Sequence, residues 1–130
     1  GKTTAQLIGG NLSVLYSLMG SVSFPDTKDK ILFLEDLDEY LYHIDRMMMG
    51  LKRAGVFDGL KGLVVGGMTD MNDNKIPFGK TAEEIIAEHV DEYYFPVCFG
   101  FPAGHIPDNQ PLIIGAEVDL NVGKTVTLKF

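Results

Sequence analysis

Residues 31–55 read ILFLEDLDEYLYHIDRMMMGLKRAG, an apolar run followed by an amphipathic segment. The four apolar residues at 31–34 have the length and continuity of a buried strand, which Glu35 and Asp36 are predicted to close. Beyond them, apolar residues recur at intervals of 4, 3, 4 and 3, as on one face of a helix. These apolar residues are Leu37, Leu41, Ile44, Met48 and Leu51. A strand that leads directly into a helix is typical of an α/β domain.

Charged residues and a glycine suggest where this helix begins and ends. Asp36 or Asp38 is expected to place an acidic side chain in its first turn, where the helix dipole favours a negative charge. Lys52 and Arg53 fall in the last turn, and Gly55 stands where a helix commonly stops.

Further elements are predicted on both sides of this unit. Apolar spacing indicates a helix within residues 10–20, capped by Gly10 or Asn11. The T-x-x-E spacing of Thr81 and Glu84 indicates a capping box and a helix that reaches about residue 93. Apolar or alternating runs occur at 63–65, 96–101, 112–115, 118–120 and 126–130, with a turn at 121–124. The prediction is one mixed α/β domain with about three helices and six or so short strands.

Composition excludes several classes of function. The chain has 130 residues, enough for one compact domain, and 45% of them are hydrophobic. Its net charge of -7 disfavours nucleic acid and anionic membranes as partners. No apolar run approaches the roughly 20 residues that span a bilayer. The chain opens with Gly1 rather than Met, and we expect it to be part of a longer protein.

The sequence contains incomplete versions of a phosphate-binding motif and a metal-binding motif. Gly-Lys-Thr occurs three times, but Asn74 and Val118 stand where a Walker A motif needs its first glycine in the second and third copies. Residues 70–81 resemble an EF-hand loop, yet Lys75 replaces its glycine and Thr81 its bidentate glutamate. Cys98 is the single cysteine, which excludes a multi-cysteine metal site. We therefore expect neither a calcium site in this loop nor a multi-cysteine metal site.

His105 and Glu35 are the residues best placed for catalysis. His105 follows Gly104 in a loop between two prolines, a setting that fixes the backbone and leaves the ring accessible. Glu35 follows a buried strand, and open α/β sheets place their sites at the carboxyl ends of strands. Together they would form a general base and its orienting acid. The structural alternatives are a histidine bonded to a nearby carbonyl and a helix first-turn charge.

A nucleophile to complete such a site is missing from the pattern. The serines lie within a helical pattern or a plain loop, and none has the G-x-S-x-G elbow. Cys98 alternates with its neighbours in a predicted strand, which favours a buried structural role. His43 and His89 lie on helices and are predicted to be surface or boundary residues. Spacing alone therefore supplies two of the three members of a triad.

Four motifs follow one another in an order that resembles a known family. They are Gly-Gly-Asn-Leu at 9–12, the strand motif ILFLED at 31–36, Ile-Asp-Arg at 44–46 and Gly-Phe-Pro-Ala-Gly-His at 100–105. In this order, with Glu35 and His105 separated by 70 positions, they resemble the C-terminal domain of the LD-carboxypeptidase family of serine peptidases. That family includes the microcin C self-immunity peptidases.

The resemblance implies a domain organisation and a set of roles. Residues 1–130 would form the C-terminal domain, with a swivelling three-layer β/β/α fold and a mixed sheet. An N-terminal flavodoxin-like domain, absent from this chain, would supply the nucleophilic serine and the oxyanion hole. His105 would be the general base, Glu35 would orient it, and Asn11 would lie near the bound substrate. No metal or organic cofactor is implied.

The resemblance also implies a reaction. Family members release a terminal D-amino acid, typically D-alanine from a murein tetrapeptide, during cytoplasmic peptidoglycan recycling. The immunity branch instead cuts an amide in a toxic aminoacyl-nucleotide. The implied partners are the chain's own N-terminal domain and a murein peptide, and a homodimer is compatible with the sequence. The isolated chain should be inactive. A non-catalytic peptidoglycan-peptide binding module and a Cys98–His105 thiol hydrolase are the alternatives.

Overall fold

A computed structural model describes all residues, 1–130, and contains six strands and three helices. In chain order the elements are β1 (Lys2–Asn11), α1 (Leu12–Ser17), β2 (Lys30–Leu37), α2 (Leu41–Arg53), β3 (Gly62–Thr69), α3 (Ala82–Val90), β4 (Val97–Cys98), β5 (Glu117–Val122) and β6 (Val126–Lys129). The predicted mixed α/β domain with about three helices is confirmed. None of the three helices has the length and apolar character needed to cross a bilayer.

The six strands form one mixed sheet in the order β4-β3-β2-β1-β5-β6. Strands β1 to β4 are parallel, and each helix connects one of them to the next, as parallel pairing requires. Strand β5 runs antiparallel to β1 and pairs with β6 in the predicted terminal hairpin. The carboxyl ends of β1, β2 and β3 therefore lie at the same edge of the sheet.

The central strand β2 is buried on both faces of the sheet. Leu32 and Leu34 belong to the apolar cluster that the three helices cover. Ile31 and Phe33 belong to a second cluster on the opposite face, where Ala103 and neighbouring loop residues pack. Successive side chains of a strand point to opposite faces of the sheet. The consecutive polar residues Glu35 and Asp36, near the end of β2, are therefore directed to opposite faces.

Several predicted boundaries are wrong. Strand β2 continues to Leu37 instead of stopping at residue 34, because hydrogen bonds satisfy both of its buried carboxylates. Helix α2 consequently starts only at Leu41, and its first turn contains no acidic residue. Helix α3 has the predicted capping box but ends at Val90. Residues 112–115 form no strand, and only Val97 and Cys98 of the predicted strand at 96–101 pair in the sheet.

Candidate active site

The carboxyl ends of β1 and β2 bring Asn11 and Glu35 side by side. These two residues are direct partners in the parallel register of the strands. Asn11 is also the residue at which β1 passes into α1, so it stands between the sheet edge and the helix N-terminus. The site is thus built at the strand ends, where the sequence predicts it.

His105 and Glu35 form a hydrogen-bonded pair. The imidazole Nδ1 lies 2.7 Å from Glu35 Oε2, and the backbone N–H of His105 donates to the same oxygen at 3.3 Å. The carboxylate side chain is 7% exposed, whereas the ring is 51% exposed. The predicted proximity of two residues 70 positions apart is confirmed. Glu35 is therefore held within the sheet, whereas the His105 ring is accessible to solvent.

Paired glycines in β3 allow the loop that carries His105 (residues 99–116, the histidine loop) to lie directly on the sheet. The Gly67 N–H donates to the Ala103 carbonyl at 2.9 Å, and a Cβ on Gly66 would lie 2.3 Å from that same oxygen. The Thr69 hydroxyl donates to the His105 carbonyl at 2.7 Å. The end of β3 therefore fixes the backbone on both sides of residue 104.

Gly104 is the point at which the loop touches Glu35. Its φ is +112°, a conformation that L side chains rarely adopt. A Cβ at this position would lie 2.8 Å from the Glu35 Cβ and 2.9 Å from Oε2. Only a residue without a side chain allows His105 to approach the carboxylate so closely.

We expect Gly104→Ala to separate His105 from Glu35, because the new methyl group would occupy the space of the carboxylate. The His105 pKa, measured by NMR titration, should fall towards the usual value of about 6.5. In a catalytically active longer polypeptide, such a displacement should lower kcat on the order of 10²-fold. The matched control is Gly79→Ala, since Gly79 has a φ of +88° and open space around its Cβ. An identical His105 titration in both variants would contradict the steric argument.

Asn11 connects the site to the start of α1. Its side-chain oxygen accepts the Val14 N–H at 3.0 Å, which confirms the predicted N-cap. Its amide nitrogen donates to Glu35 Oε1 at 3.3 Å and to Asp36 Oδ1 at 3.0 Å. Two carboxylates offer only acceptors, so the amide NH₂ has to face them. The orientation of Asn11 is therefore determined from both sides, and a role in substrate binding stays a prediction.

Asp36 is a buried residue whose place the sequence analysis missed. It is 1% exposed, and its Oδ2 accepts the Ser13 N–H at 3.0 Å. Because it follows Glu35 in the strand, its side chain is directed to the face covered by the helices, where α1 begins. The predicted role as a first-turn charge of α2 is wrong. The sequence did contain a signal for this placement: Asp36 directly follows Glu35 in a buried strand, and successive side chains of a strand point to opposite faces of the sheet.

The charges around His105 favour its protonated form. Its pKa is raised, first by the hydrogen bond to Glu35 and then by the negative charge of Glu35, with a further contribution from Asp36. Partial desolvation acts in the opposite direction. In the neutral ring, the hydrogen bond to Glu35 keeps the remaining proton on Nδ1, which leaves a lone pair on Nε2. Nε2 makes no hydrogen bond in the structure and can accept a proton from a reacting group.

The other histidines lie in different surroundings. His43, in the first turn of α2, pairs at 2.8 Å with Glu39, which lies just before that helix, and it occupies the boundary position that the sequence predicts. His89 is 8% exposed, so its prediction as a surface or boundary residue is wrong: it lies between α3 and α2, 2.7 Å from Asp45. Neither histidine combines an accessible ring with a fully buried carboxylate, as His105 does.

The thiol and the hydroxyl groups are not arranged as nucleophiles for His105. Burial raises the pKa of Cys98 to about 11, so the group is a thiol at neutral pH. The hydroxyls of Ser13, Ser17 and Ser21 donate to acceptors within or beside α1. No hydroxyl or thiol in the chain is hydrogen-bonded to the His105 ring.

Comparison with known proteins gives the family. Residues 4–120 match the family described as the LD-carboxypeptidase C-terminal domain, a range that contains Asn11, Glu35 and His105. The chain belongs to this family. In this LD-carboxypeptidase C-terminal domain, the carboxylate of the pair lies near the end of strand β2, and the histidine lies in the loop between β4 and β5.

Individual LD-carboxypeptidase relatives extend well beyond this domain. A probable murein peptide carboxypeptidase of Bacillus subtilis is 33% identical over 124 residues, which cover 95% of this chain and 39% of that protein. The microcin C7 self-immunity protein MccF of Escherichia coli is 29% identical over 124 residues, covering 93% of this chain and 35% of that protein. The chain thus spans less than half the length of the curated relatives it matches.

Solved structures show the same fold. The crystal structure of muramoyltetrapeptide carboxypeptidase from Oxalobacter formigenes superposes with a TM-score of 0.87 at 27% identity, covering 98% of this chain and 45% of that chain. Wild-type MccF in its apo state superposes with a TM-score of 0.79 at 28% identity, covering 92% of this chain and 35% of that chain. The LD-carboxypeptidase domain is therefore the C-terminal portion of a larger architecture in its relatives.

Proposed function

We propose that this domain supplies the histidine and glutamate of a Ser-His-Glu triad to a longer polypeptide that releases the terminal D-alanine from a murein tetrapeptide. The observation that carries the proposal is the 2.7 Å contact of His105 Nδ1 with Glu35. Its geometry leaves Nε2 accessible, and Nε2 is the atom that a general base presents to a nucleophile. Glu35 is correspondingly the orienting acid.

The reaction in this proposal is acyl transfer in two stages. The serine oxygen attacks the carbonyl of the L,D-peptide bond while His105 Nε2 takes the serine proton. His105 then gives that proton to the departing amine of D-alanine, and an acyl-enzyme remains. Water, deprotonated by the same nitrogen, attacks the acyl-enzyme and restores the serine. Glu35 keeps Nδ1 protonated throughout and stabilises the imidazolium that forms twice.

The nucleophile in this proposal comes from an N-terminal domain that docks against the site. Exposed apolar side chains around the candidate site support such a contact. Val14 is 59% exposed next to the Asn11 cap, and Ile114 is 51% exposed on a groove that Gly104 and Phe33 also line. Interfaces between domains of one chain bury about 600–1,500 Å². Docking would cover these side chains and exclude water from His105.

The substrate class rests on the comparisons. The murein-directed relatives show the higher similarity, at 33% identity in sequence and a TM-score of 0.87 in structure. The corresponding values for MccF are 29% and 0.79. We therefore favour a murein peptide, with cytoplasmic recycling as the setting, over an immunity-type amide substrate. The accessible Nε2 opposite a buried carboxylate favours catalysis over the non-catalytic binding module.

The test compares the longer polypeptide with residues 1–130 on two substrates. We expect the longer polypeptide to release D-alanine from murein tetrapeptide, and the isolated chain to release none because it has no serine opposite His105. A tetrapeptide ending in L-alanine is the control and should not be cleaved. Cleavage of aspartyl sulfamoyl adenosine alone, a ligand bound by MccF, would replace the proposal by the immunity-type activity. Binding of tetrapeptide without cleavage would support the binding module instead.

A further inference from the structure

Asp36 is a second buried carboxylate within one residue of Glu35, and its partners are all neutral. Its Oδ2 accepts the Ser13 N–H at 3.0 Å, and its Oδ1 accepts the Leu37 N–H at 2.8 Å and the Asn11 amide at 3.0 Å. No lysine or arginine forms a salt bridge with either carboxylate. A buried charge without a cation is costly unless hydrogen bonds compensate for it. Hydrogen bonds from Ser13, Leu37 and Asn11 supply this compensation, and Asn11 also donates to Glu35.

The Asn11 amide joins Asp36 to the His105–Glu35 pair. Asn11 donates to Glu35 Oε1, while His105 occupies Oε2, so each oxygen of Glu35 has its own partner. Asn11 in turn is held by Asp36 on its amide nitrogen and by the Val14 N–H on its oxygen. The plane of the Glu35 carboxylate is thus determined by a connected series of hydrogen bonds that begins at Asp36.

We propose that Asp36 is a positioning residue, which fixes the Glu35 carboxylate through Asn11 and so holds it against His105 Nδ1. The proposal deepens the function proposed above and rests on it for the catalytic meaning of His105. The titration of His105, however, is a property of the folded domain and does not depend on which reaction the longer polypeptide performs.

The groups that face this network are few. Strand β1 contributes Asn11, the first turn of α1 contributes Ser13, and the histidine loop contributes His105. Strand β2 itself provides Glu35 and Asp36. Among them only the two carboxylates and the imidazole titrate, and the raised pKa of His105 includes a contribution from the charge of Asp36.

The direct experiment follows the His105 imidazole by NMR while the pH is varied in the 130-residue chain. We expect Asp36→Asn to lower the His105 pKa, by less than Glu35→Gln lowers it, because the more distant charge has the weaker effect. The control is Asp119→Asn, which removes the same charge from a residue that accepts a hydrogen bond from Thr4. Thr4 lies seven residues from Asn11 along β1, about 23 Å at strand rise. An unchanged His105 titration in folded Asp36→Asn would overturn the proposal.

A second variant tests the connection where Asp36→Asn fails to fold. Asn11→Ser retains a good N-cap residue for α1 but removes the amide that bridges the carboxylates. We expect the His105 Nδ1 proton to exchange faster with water in this variant, because Glu35 is no longer held on both oxygens. An exchange rate equal to that of the unmodified chain would show that Glu35 needs no support from Asn11 and Asp36.

The catalytic consequence is measured in the longer polypeptide. Asp36→Asn should lower kcat about 10-fold, as loss of an orienting outer partner typically does, with little change in KM. It should also move the acidic limb of the kcat profile to lower pH. A residue with only a structural role would lower the melting temperature without moving that limb. If every substrate is left uncleaved, the proposed function fails, while the NMR titration still decides the role of Asp36.

Discussion

His105→Ala should lower kcat/KM for the proposed D-alanine release by the longer polypeptide about 10⁴-fold or more, since no other group in this domain is placed to take the nucleophile's proton. The ring is 51% exposed, so its removal should leave folding nearly unchanged. The measurement is D-alanine release from murein tetrapeptide, together with the thermal unfolding midpoint of the variant.

The control for this loss is His43→Ala. His43 also pairs with a carboxylate, at 2.8 Å from Glu39, and it should retain turnover because its ring makes no contact with the Glu35 network. Full activity of the His105→Ala variant would refute the mechanism. Equal losses in both variants would mean that either substitution damages the fold rather than the chemistry.

Glu35→Gln should reduce kcat roughly 10⁴-fold, the size of effect seen when an amide replaces the buried acid of a Ser-His-Asp triad. The shape is kept, but the amide no longer stabilises the imidazolium and can hold the wrong tautomer of His105. The pH dependence gives an independent readout. A general base works when neutral, so activity should rise as the pH passes the raised pKa of His105. In Glu35→Gln this acidic limb should move down, towards about 6.5.

The comparison variant for Glu35→Gln is Glu88→Gln. Glu88 is exposed on α3 and pairs with Lys80, so its substitution removes one carboxylate without touching the site. Its pH profile should coincide with that of the unmodified enzyme. A pH profile of Glu35→Gln that also coincides, with only kcat lowered, would separate Glu35 from the titration of His105.

Local patterns predicted the elements whose stability is encoded over a few residues. The apolar strand at 31–34, the amphipathic stripe of α2 and the Thr81–Glu84 capping box were all identified from spacing. Strand β1 was not predicted, because apolar and polar residues alternate only weakly along it. It is a strand because it pairs with β2 and β5. The extension of β2 was missed for a similar reason: hydrogen bonds from α1 and the histidine loop allow carboxylates to be buried.

The candidate site likewise has a part that the sequence predicts and a part that it does not. Glu35 and His105 were selected from their position after a strand and within a proline-flanked loop, and the family resemblance suggested that they act together. The contacts that hold them were not predictable, because they depend on neighbours distant in sequence. Two of these contacts are the space that Gly104 leaves for Glu35 and the Asn11 bridge to Asp36. Both arise only because the fold brings three strand ends and a loop next to one another.

The central position of β1 has a consequence for biosynthesis. Residues 6–11 of β1 pair with β2, but residues 2–6 pair with β5, more than 100 positions further along the chain. As the polypeptide leaves the ribosome, one edge of β1 therefore keeps unpaired backbone groups until residues 117–122 have emerged. Exposed edges of this kind promote pairing with other chains. The sheet is complete only once β5 and β6 have emerged, after the segment that carries His105 has already been made.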